Sequence, residues 1–249
     1  MTFRIQKPVK ESIADPDPSW KGLYKAGGIS VALYIAIGII APAVLLLSSN
    51  YDASMDGIAT LEYIAANKSW WITIQALTLG PSALAIVPFI ALYAVLKHVN
   101  KSYAAIGVLL AIASEILFLA YFPVVNGLVY LSDKYVAATT TAQRTAFASA
   151  AEALVAQNNA YGPSEIVLAG GILIISLIML KGVFHKGVAY LGIATFAAAI
   201  IGAALKPILA IAYLWWWALF MVWFAAVGWK LYRLGAGGLS ESKASLETR

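Results

Sequence analysis

The sequence predicts an all-α fold, a polytopic bundle of six transmembrane helices with a short amphipathic helix on the outer side. Residues from Ser69 to Leu96 carry no charge. The sequence contains five more apolar runs of this kind, one before this stretch and four after it. Each run can cross a roughly 30 Å hydrocarbon core as a helix, the conformation that satisfies its own backbone hydrogen bonds there. A composition of 61% hydrophobic and 12% charged residues, with a mean hydropathy of +0.81, excludes a soluble fold.

The expected spans are residues 26–48, 70–96, 102–124, 164–181, 187–205 and 208–230. They form one transmembrane domain over 26–233, with a cytoplasmic segment at 1–25, outer loops at 49–69 and 125–163, and a cytoplasmic tail at 234–249. No cleavable signal peptide is evident, because the first apolar run starts too late and is too long. The absence of cysteine excludes disulfides and thiolate metal sites. We expect no metal and no cofactor.

The basic residues predict the orientation. Four of the 17 lysines and arginines lie on one side of the expected spans, and the remaining 13 lie on the other, beside both termini and two short loops. Positive residues favour the cytoplasmic side, so we expect a protein of a prokaryotic plasma membrane with both termini in the cytoplasm. The net charge of +5 is then explained by topology and by membrane lipids as partners, without nucleic acid.

Two outer segments are expected to contain helices. Residues 50–68 combine three acidic residues with apolar neighbours, which suits a short helix at the membrane interface. Further along, Thr140 and Gln143 have the spacing of a capping box. The helix that follows carries apolar residues on one face until residues 158–163 end it. Two interpretations remain open for this helix: a cover for apolar edges of the bundle, or a lid over a cavity.

Helix-breaking and small residues occur inside the spans. The pair Gly80 and Pro81 predicts a kink in the second span, where nearby polar side chains satisfy the freed carbonyls or line a pocket. Gln75, Asn126 and Trp216 are our candidates for the lining of such a cavity. Small residues at helical spacing in spans one, three and five indicate a tight bundle or a homo-oligomer, and the sequence does not separate these.

Glu115 is the one ionisable residue deep inside an expected span. Carboxyls at such depth usually face the bundle interior or a wet cavity. We place a candidate ligand or proton site at Glu115, Glu165 and Lys206, near the outer leaflet. The alternatives are that Glu115 is a neutral hydrogen-bond donor between helices and that Lys206 lies among headgroups.

Three consecutive tryptophans, Trp215 to Trp217, begin the last span. Neighbouring residues of a helix point about 100° apart, so one or two of these rings face protein or a cavity. An aromatic cage for a cation or a flat ligand is one interpretation, and packing against lipid and neighbouring helices is the other.

Motifs of known chemistry are missing from the sequence. It has no H-E-x-x-H, G-x-S-x-G, P-loop or dinucleotide-binding pattern, and His98 and His185 both lie at span ends. We therefore assign no catalytic, cofactor-binding or metal-binding residue.

Three stretches resemble a known family. They are L-Y-A-V-L-K-H-V-N-K-S-Y-A from Leu92, Y-L-S-D-K-Y-V-A-A-T-T-T-A-Q-R from Tyr130 and A-E-A-L-V-A-Q-N-N from Ala151. They are similar to the bacterial and archaeal membrane family called "domain of unknown function 4386". The resemblance covers roughly residues 20–235 and implies a six-span helical membrane protein without an assigned activity. The residues that match the family's outer motif are Tyr130, Asp133, Tyr135, Gln143 and Arg144. Their alternative role is structural, with Asp133 and Arg144 pairing to cap the outer helix.

Three hypotheses for function follow. The first is a non-enzymatic protein that binds a lipid or small hydrophobic molecule, or serves as an accessory subunit beside a partner membrane protein. The second is a small proton-coupled transporter that uses Glu115. The third is a membrane enzyme of a type without a recognised motif.

Overall fold

The structure is a computed structural model that describes residues 17–47, 55–120, 122–159, 163–205 and 215–237. Regular structure in these ranges is helical throughout, which confirms the predicted all-α class. A 3₁₀ turn at Pro18–Trp20 precedes ten α-helices: α1 Lys21–Leu47, α2 Gly57–Ala66, α3 Lys68–Leu79, α4 Pro81–Leu96, α5 Lys101–Leu119, α6 Phe122–Ala137, α7 Thr141–Asn159, α8 Pro163–Met179, α9 Lys186–Ala204 and α10 Trp215–Gly235.

Several helices are suited to a bilayer. In the described ranges, four segments are long and apolar enough to cross a membrane: Pro18–Ala41, Lys68–Leu96, Lys101–Ala137 and Lys186–Ala203. Ser164–Met179 is a shorter apolar helix at the expected fourth span. These apolar helices indicate a membrane-embedded protein, and a total of six spans stays a prediction.

The second expected span is interrupted at the predicted position. α3 ends at Leu79 and α4 begins at Pro81, with Gly80 between them. Proline has no N–H to donate and suits the first position of a helix, so a new helix starts at Pro81 without losing a bond. The Gly80 N–H still donates to the Ala76 carbonyl at 2.8 Å, which keeps the two helices in one continuous apolar segment.

The outer segment after the third expected span is more helical than expected. We predicted helix there only after Thr140, but α6 already begins at Phe122. Val125 and Leu128 are buried on one face of α6, whereas Asp133 and Lys134 are exposed on the other. We ended the third span at residue 124 and expected an outer loop from residue 125, because the sequence alone does not show which neighbour buries the apolar face of this segment.

The predicted start of the amphipathic outer helix is confirmed. The Gln143 N–H donates to the Thr140 hydroxyl at 3.3 Å, so Thr140 caps α7. The Gln143 side chain accepts in return from the Thr139 N–H at 3.2 Å, one residue before the expected partner. α7 then buries Ala151 on the expected apolar face. Together with α2, α3 and α6 it encloses a small hydrophobic core, here called the outer cluster.

The main bundle is a closed circuit of six helices. α1 packs on α4, α4 on α5, α5 on α8, α8 on α9, α9 on α10, and α10 returns to α1. Backbones approach closely at the Gly28–Gly228 crossing of α1 and α10, where a Cβ on Gly28 would lie 2.8 Å from the Gly228 carbonyl oxygen. Small residues allow this approach, and close packing is what holds helices together in lipid. Buried aromatic rings, among them Phe89, Phe196 and Trp223, fill the space inside the circuit.

The first and last helices of the main bundle meet at one side of the molecule, here called the terminal end. α1 begins there and α10 ends there. A Cβ on Gly235 of α10 would lie 2.5 Å from the Lys25 nitrogen of α1. The Lys97 ammonium after α4 also lies 4.7 Å from the centroid of the Trp20 ring. The start of α1, the end of α4 and the end of α10 therefore share one side of the bundle.

Candidate functional site

A partly open cavity of about 540 Å³ lies between the helices, away from the terminal end. Five regions line it: the second half of α1, the α3–α4 junction, the end of α5, the start of α8 and the start of α10. Its lining is mostly apolar and aromatic, with a small group of polar side chains.

Glu115 lies in this lining with only 4% of its surface exposed. It belongs to the last turns of α5, and Ser82 of α4 lines the same cavity beside it. Ser82 directly follows Pro81, so the interruption of the second span brings this hydroxyl to the carboxyl. The structure therefore places the carboxyl that we predicted inside a span in the lining of a cavity, with the Ser82 hydroxyl as a neighbour.

A second polar contact fixes the start of α8 beside α5. The Ser114 hydroxyl donates to the Ser164 carbonyl at 2.7 Å, deep in the protein. The Ser164 hydroxyl is itself buried, has no hydrogen-bond partner among the described residues, and belongs to the cavity lining. Glu165 follows in the chain and also lines the cavity. Glu115 and Glu165 therefore line the same cavity, whereas Lys206 lies outside the described residues.

Aromatic rings form another wall of the cavity. Trp216 and Trp217 at the start of α10 line it, whereas Trp215 is 45% exposed on the outside. Tyr34 of α1 meets Phe220 of α10 edge to face, with ring centroids 6.1 Å apart. The run of three tryptophans thus divides as helix geometry requires, with two rings inward and one outward.

Of the three residues that we expected to line a cavity, Trp216 does so, and Gln75 and Asn126 do not. Gln75 is half-buried on α3, one turn before the break, and Asn126 is exposed on α6. Two polar residues beside the predicted kink, Thr78 and Ser82, line the cavity. The Thr78 hydroxyl also donates to the Ile74 carbonyl at 2.8 Å, so it satisfies a helix carbonyl as well.

Sequence reasoning did not single out Tyr34, Ser114 or Ser164 as site residues. The two serines are hydroxyl-bearing residues in apolar helices, one directly before Glu115 and one directly before Glu165. That adjacency was a usable signal, because polar groups inside apolar helices must find partners. Nothing in the sequence around Tyr34 distinguishes it from other aromatic residues.

The residues of the outer motif lie around the outer cluster rather than in the cavity. Asp133 of α6 forms an ion pair with Lys68 of α3, with 2.6 Å between nitrogen and oxygen. This contact replaces the expected alternative of a pair between Asp133 and Arg144, since Arg144 is exposed on α7. The reason is tertiary, because packing of α6 against α3 brings the distant Lys68 beside the carboxylate.

The remaining members of the outer motif make local contacts. The Tyr135 hydroxyl lies 3.5 Å from a Glu62 carboxylate oxygen, and the Tyr130 ring lies 5.5 Å from the Lys134 ammonium. Gln143 belongs to the cap at the start of α7. The contacts of Tyr130, Tyr135 and Gln143 are therefore local, and they do not converge on the cavity.

The outer cluster borders the cavity through Phe118, which lines the cavity and also packs against that cluster. α7 contributes no residue to the lining. It contacts α2 through the Glu152 carboxylate, which accepts a 2.5 Å hydrogen bond from the Gly57 N–H. α7 thus covers the outer cluster, and the cluster in turn borders the cavity.

Among the described residues, no group of three or more histidines, aspartates or glutamates is placed to hold a metal ion.

The fold and the cavity define a class: a helical, membrane-embedded protein with a few polar groups in an otherwise apolar internal pocket. In comparisons with known proteins, no family model, curated protein or solved structure matches the chain. Membership of the "domain of unknown function 4386" family stays a prediction.

Proposed function

We propose that the protein binds a lipid or another small hydrophobic molecule in the cavity beside Glu115. The observation that carries this proposal is the cavity itself, whose volume of about 540 Å³ is typical of sites for small ligands. Such sites combine mainly apolar walls with a few polar groups that orient the ligand. Glu115, Ser82 and Ser164 supply those polar groups here.

The buried hydroxyl of Ser164 supports the same proposal. Buried polar groups are nearly always hydrogen-bonded, and an unpaired one costs free energy. The Ser164 hydroxyl has no described partner and lines the cavity. A rotation of this hydroxyl toward the cavity would let the polar group of a bound molecule supply that partner.

We further propose that the protein lies in a prokaryotic plasma membrane with both termini in the cytoplasm. The distribution of basic residues supports this orientation, and the proximity of α1's start to α10's end is consistent with it. The cavity would then lie in the outer half of the membrane, with lipids as natural partners. A role as an accessory subunit, beside a partner membrane protein or within a homo-oligomer, is compatible with this proposal.

Proton-coupled transport is the second candidate function. It is supported by the burial of Glu115 at a cavity, because ionisable residues in such places often belong to proton or substrate pathways. The test is uptake into proteoliposomes under a pH gradient. Transport predicts that Glu115→Gln abolishes pH-dependent uptake, and unchanged uptake would exclude this role. No observation favours the third hypothesis, a membrane enzyme.

Native mass spectrometry on protein released gently from its own membrane tests the binding proposal. We expect an added mass that corresponds to a lipid or another small molecule. Gly38 lines the cavity, and a Cβ there would meet only the ends of the Met221 and Trp217 side chains, at 3.5 Å or more. Gly38→Leu should therefore fill part of the cavity and reduce the bound fraction without a backbone clash.

Gly170→Leu is the matched control. A Cβ on Gly170 meets nothing within 4 Å, and this glycine is not part of the cavity lining. The control should retain the added mass. Equal ligand occupancy in the wild type and Gly38→Leu, or a bare wild-type protein, would contradict the proposal.

A further inference from the structure

A second pocket lies at the terminal end, away from the cavity beside Glu115. It is a groove of about 450 Å³ between the turn that joins α8 to α9 and the last turns of α10. The turn lies at the terminal end because a Cβ on its Gly182 would be 3.4 Å from the side chain of Leu96, where α4 ends. Two basic side chains, His185 of the turn and Lys230 of α10, line the groove.

The segments that form this groove are strongly basic. Residues 179–190 and 215–237 contain four lysines or arginines and no aspartate or glutamate. Two of the lysines lie on either side of His185 in the sequence, and Arg233 follows Lys230 by about one helical turn. Basic pockets between membrane helices are typical sites for anionic lipid headgroups.

We infer that this groove binds an anionic phospholipid, with Lys230 and His185 on the phosphate group and an acyl chain along the apolar part of the lining. The groove is a second site, separate from the cavity. The inference therefore goes beyond the proposed function and does not depend on it.

The two basic side chains can each donate a hydrogen bond to a phosphate oxygen. The Nδ1 atom of His185 accepts from the Gly187 N–H at 3.0 Å and so caps the start of α9. In the neutral ring the proton is then on Nε2, which is a donor that the cap does not use. Lys230 is half-buried and carries three N–H donors on its ammonium group. Donors from two separate elements thus line one groove.

The rest of the groove suits an acyl chain at the level of the headgroups. Val188 of α9 and Ala226 of α10 belong to its apolar lining. Trp229 also lines it and is 65% exposed, and Tyr190 of α9 is 59% exposed. Exposed tryptophan and tyrosine are enriched where a membrane meets water. A soluble phosphate ester would use the basic side chains and leave this apolar lining uncovered, so the groove favours a lipid.

Two phospholipids with identical acyl chains test the inference. Dioleoylphosphatidylglycerol is anionic, and dioleoylphosphatidylcholine is zwitterionic. Each is titrated onto the full chain in detergent, and bound lipid is measured by native mass spectrometry in about 0.2 M ammonium acetate, which screens charges more than about 10 Å apart. We expect the anionic lipid to bind the wild type about fivefold more tightly, which is the effect of one lysine close to an anionic lipid.

Four variants locate the site. Lys230→Gln should reduce the preference for the anionic lipid to less than about twofold, whereas Lys230→Arg should retain it because the charge remains. Lys101→Gln is the matched control, since this exposed lysine at the start of α5 does not line the groove. It should retain the preference. Gly38→Leu alters the cavity and should also retain it.

A soluble competitor distinguishes a lipid from a free phosphate ester. Glycerophosphoglycerol has the headgroup of the anionic lipid without acyl chains. We expect no displacement of the lipid at equal concentration. Full displacement would overturn the assignment to a lipid and would indicate a soluble ligand.

Three further outcomes would overturn the inference. They are equal affinity of the two lipids for the wild type, a preference that survives Lys230→Gln, and an equal loss in Lys101→Gln and Lys230→Gln. A preference that Gly38→Leu abolishes would move the anionic lipid to the cavity and would overturn the groove as its site. None of these results removes the binding function of the cavity, which the added native mass of the wild type tests separately.

Discussion

Gly107 and Gly171 bring the backbones of α5 and α8 into direct contact. A Cβ on Gly171 would lie 2.7 Å from the Gly107 carbonyl oxygen and 2.8 Å from the Ala111 nitrogen. This crossing lies two helical turns from Glu115 on α5 and about two turns from Ser164 on α8. It therefore sets the spacing of two of the walls that meet at the cavity.

Gly171→Ala should destabilise the protein, because its methyl group would meet backbone atoms that cannot move aside. We expect a loss of about 1–3 kcal/mol, the usual cost of overpacking. The neighbouring Gly170→Ala is the control, since a Cβ there meets nothing within 4 Å. Unfolding of both variants in mixed micelles, followed by tryptophan fluorescence, measures the difference. Equal stability of the two variants would contradict the observed helix crossing.

Thr140→Ala should loosen the start of α7 by removing the hydroxyl that accepts from the Gln143 N–H. The loss of such a cap costs about 1 kcal/mol. Hydrogen exchange should therefore speed up in the first turn of α7 and stay unchanged in α5. Thr145→Ala, an exposed threonine inside the same helix, is the control. Unchanged exchange after Thr140→Ala would show that the cap does not hold the helix end.

Ser19→Ala should raise the pKa of Asp17 toward its ordinary value. The Ser19 hydroxyl and N–H donate to one Asp17 carboxylate oxygen at 2.7 and 2.9 Å, and these bonds hold the pKa of Asp17 below its usual range. A depressed carboxyl pKa contributes stability above the unfolded pKa, and that stability is lost as the pH falls through the folded pKa. In the variant this contribution should be smaller, and its loss should be complete at a higher pH than in the wild type.

The titration of the Asp17 carboxyl carbon by NMR measures this effect. Ser102→Ala, at the start of α5, should leave the titration unchanged. An identical Asp17 curve in the wild type and Ser19→Ala would show that the Ser19 hydroxyl does not contribute.

Labelling of single cysteines should establish the orientation, and the absence of native cysteine makes the background clean. Ser149 on α7 and Ser102 on α5 are both exposed. In intact cells, a membrane-impermeant maleimide should label Ser149→Cys, and Ser102→Cys should react only after permeabilisation. The reverse pattern would place the termini outside, and labelling of both before permeabilisation would contradict membrane residence in the expected topology.

The sequence by itself determined the helical class, the position of the break in the second span and the start of α7. These features depend on local chemistry. Apolar runs of membrane length indicate helices, Pro81 has no N–H to donate within a helix, and the Thr140 hydroxyl lies three residues before the Gln143 N–H that it accepts from. Burial of Glu115 was also predictable, because an isolated carboxyl within an apolar helix has few other places to lie.

Only the tertiary structure decided which residues share the site. Ser82, Ser164, Trp216 and Glu115 come from four helices, and their convergence depends on how α4, α5, α8 and α10 pack, which no local pattern specifies. The same reason explains the pairing of Asp133 with Lys68, 65 residues away, and the exclusion of Gln75 and Asn126 from the lining. A helix's own periodicity shows which of its residues share a face, and its neighbours decide what that face meets.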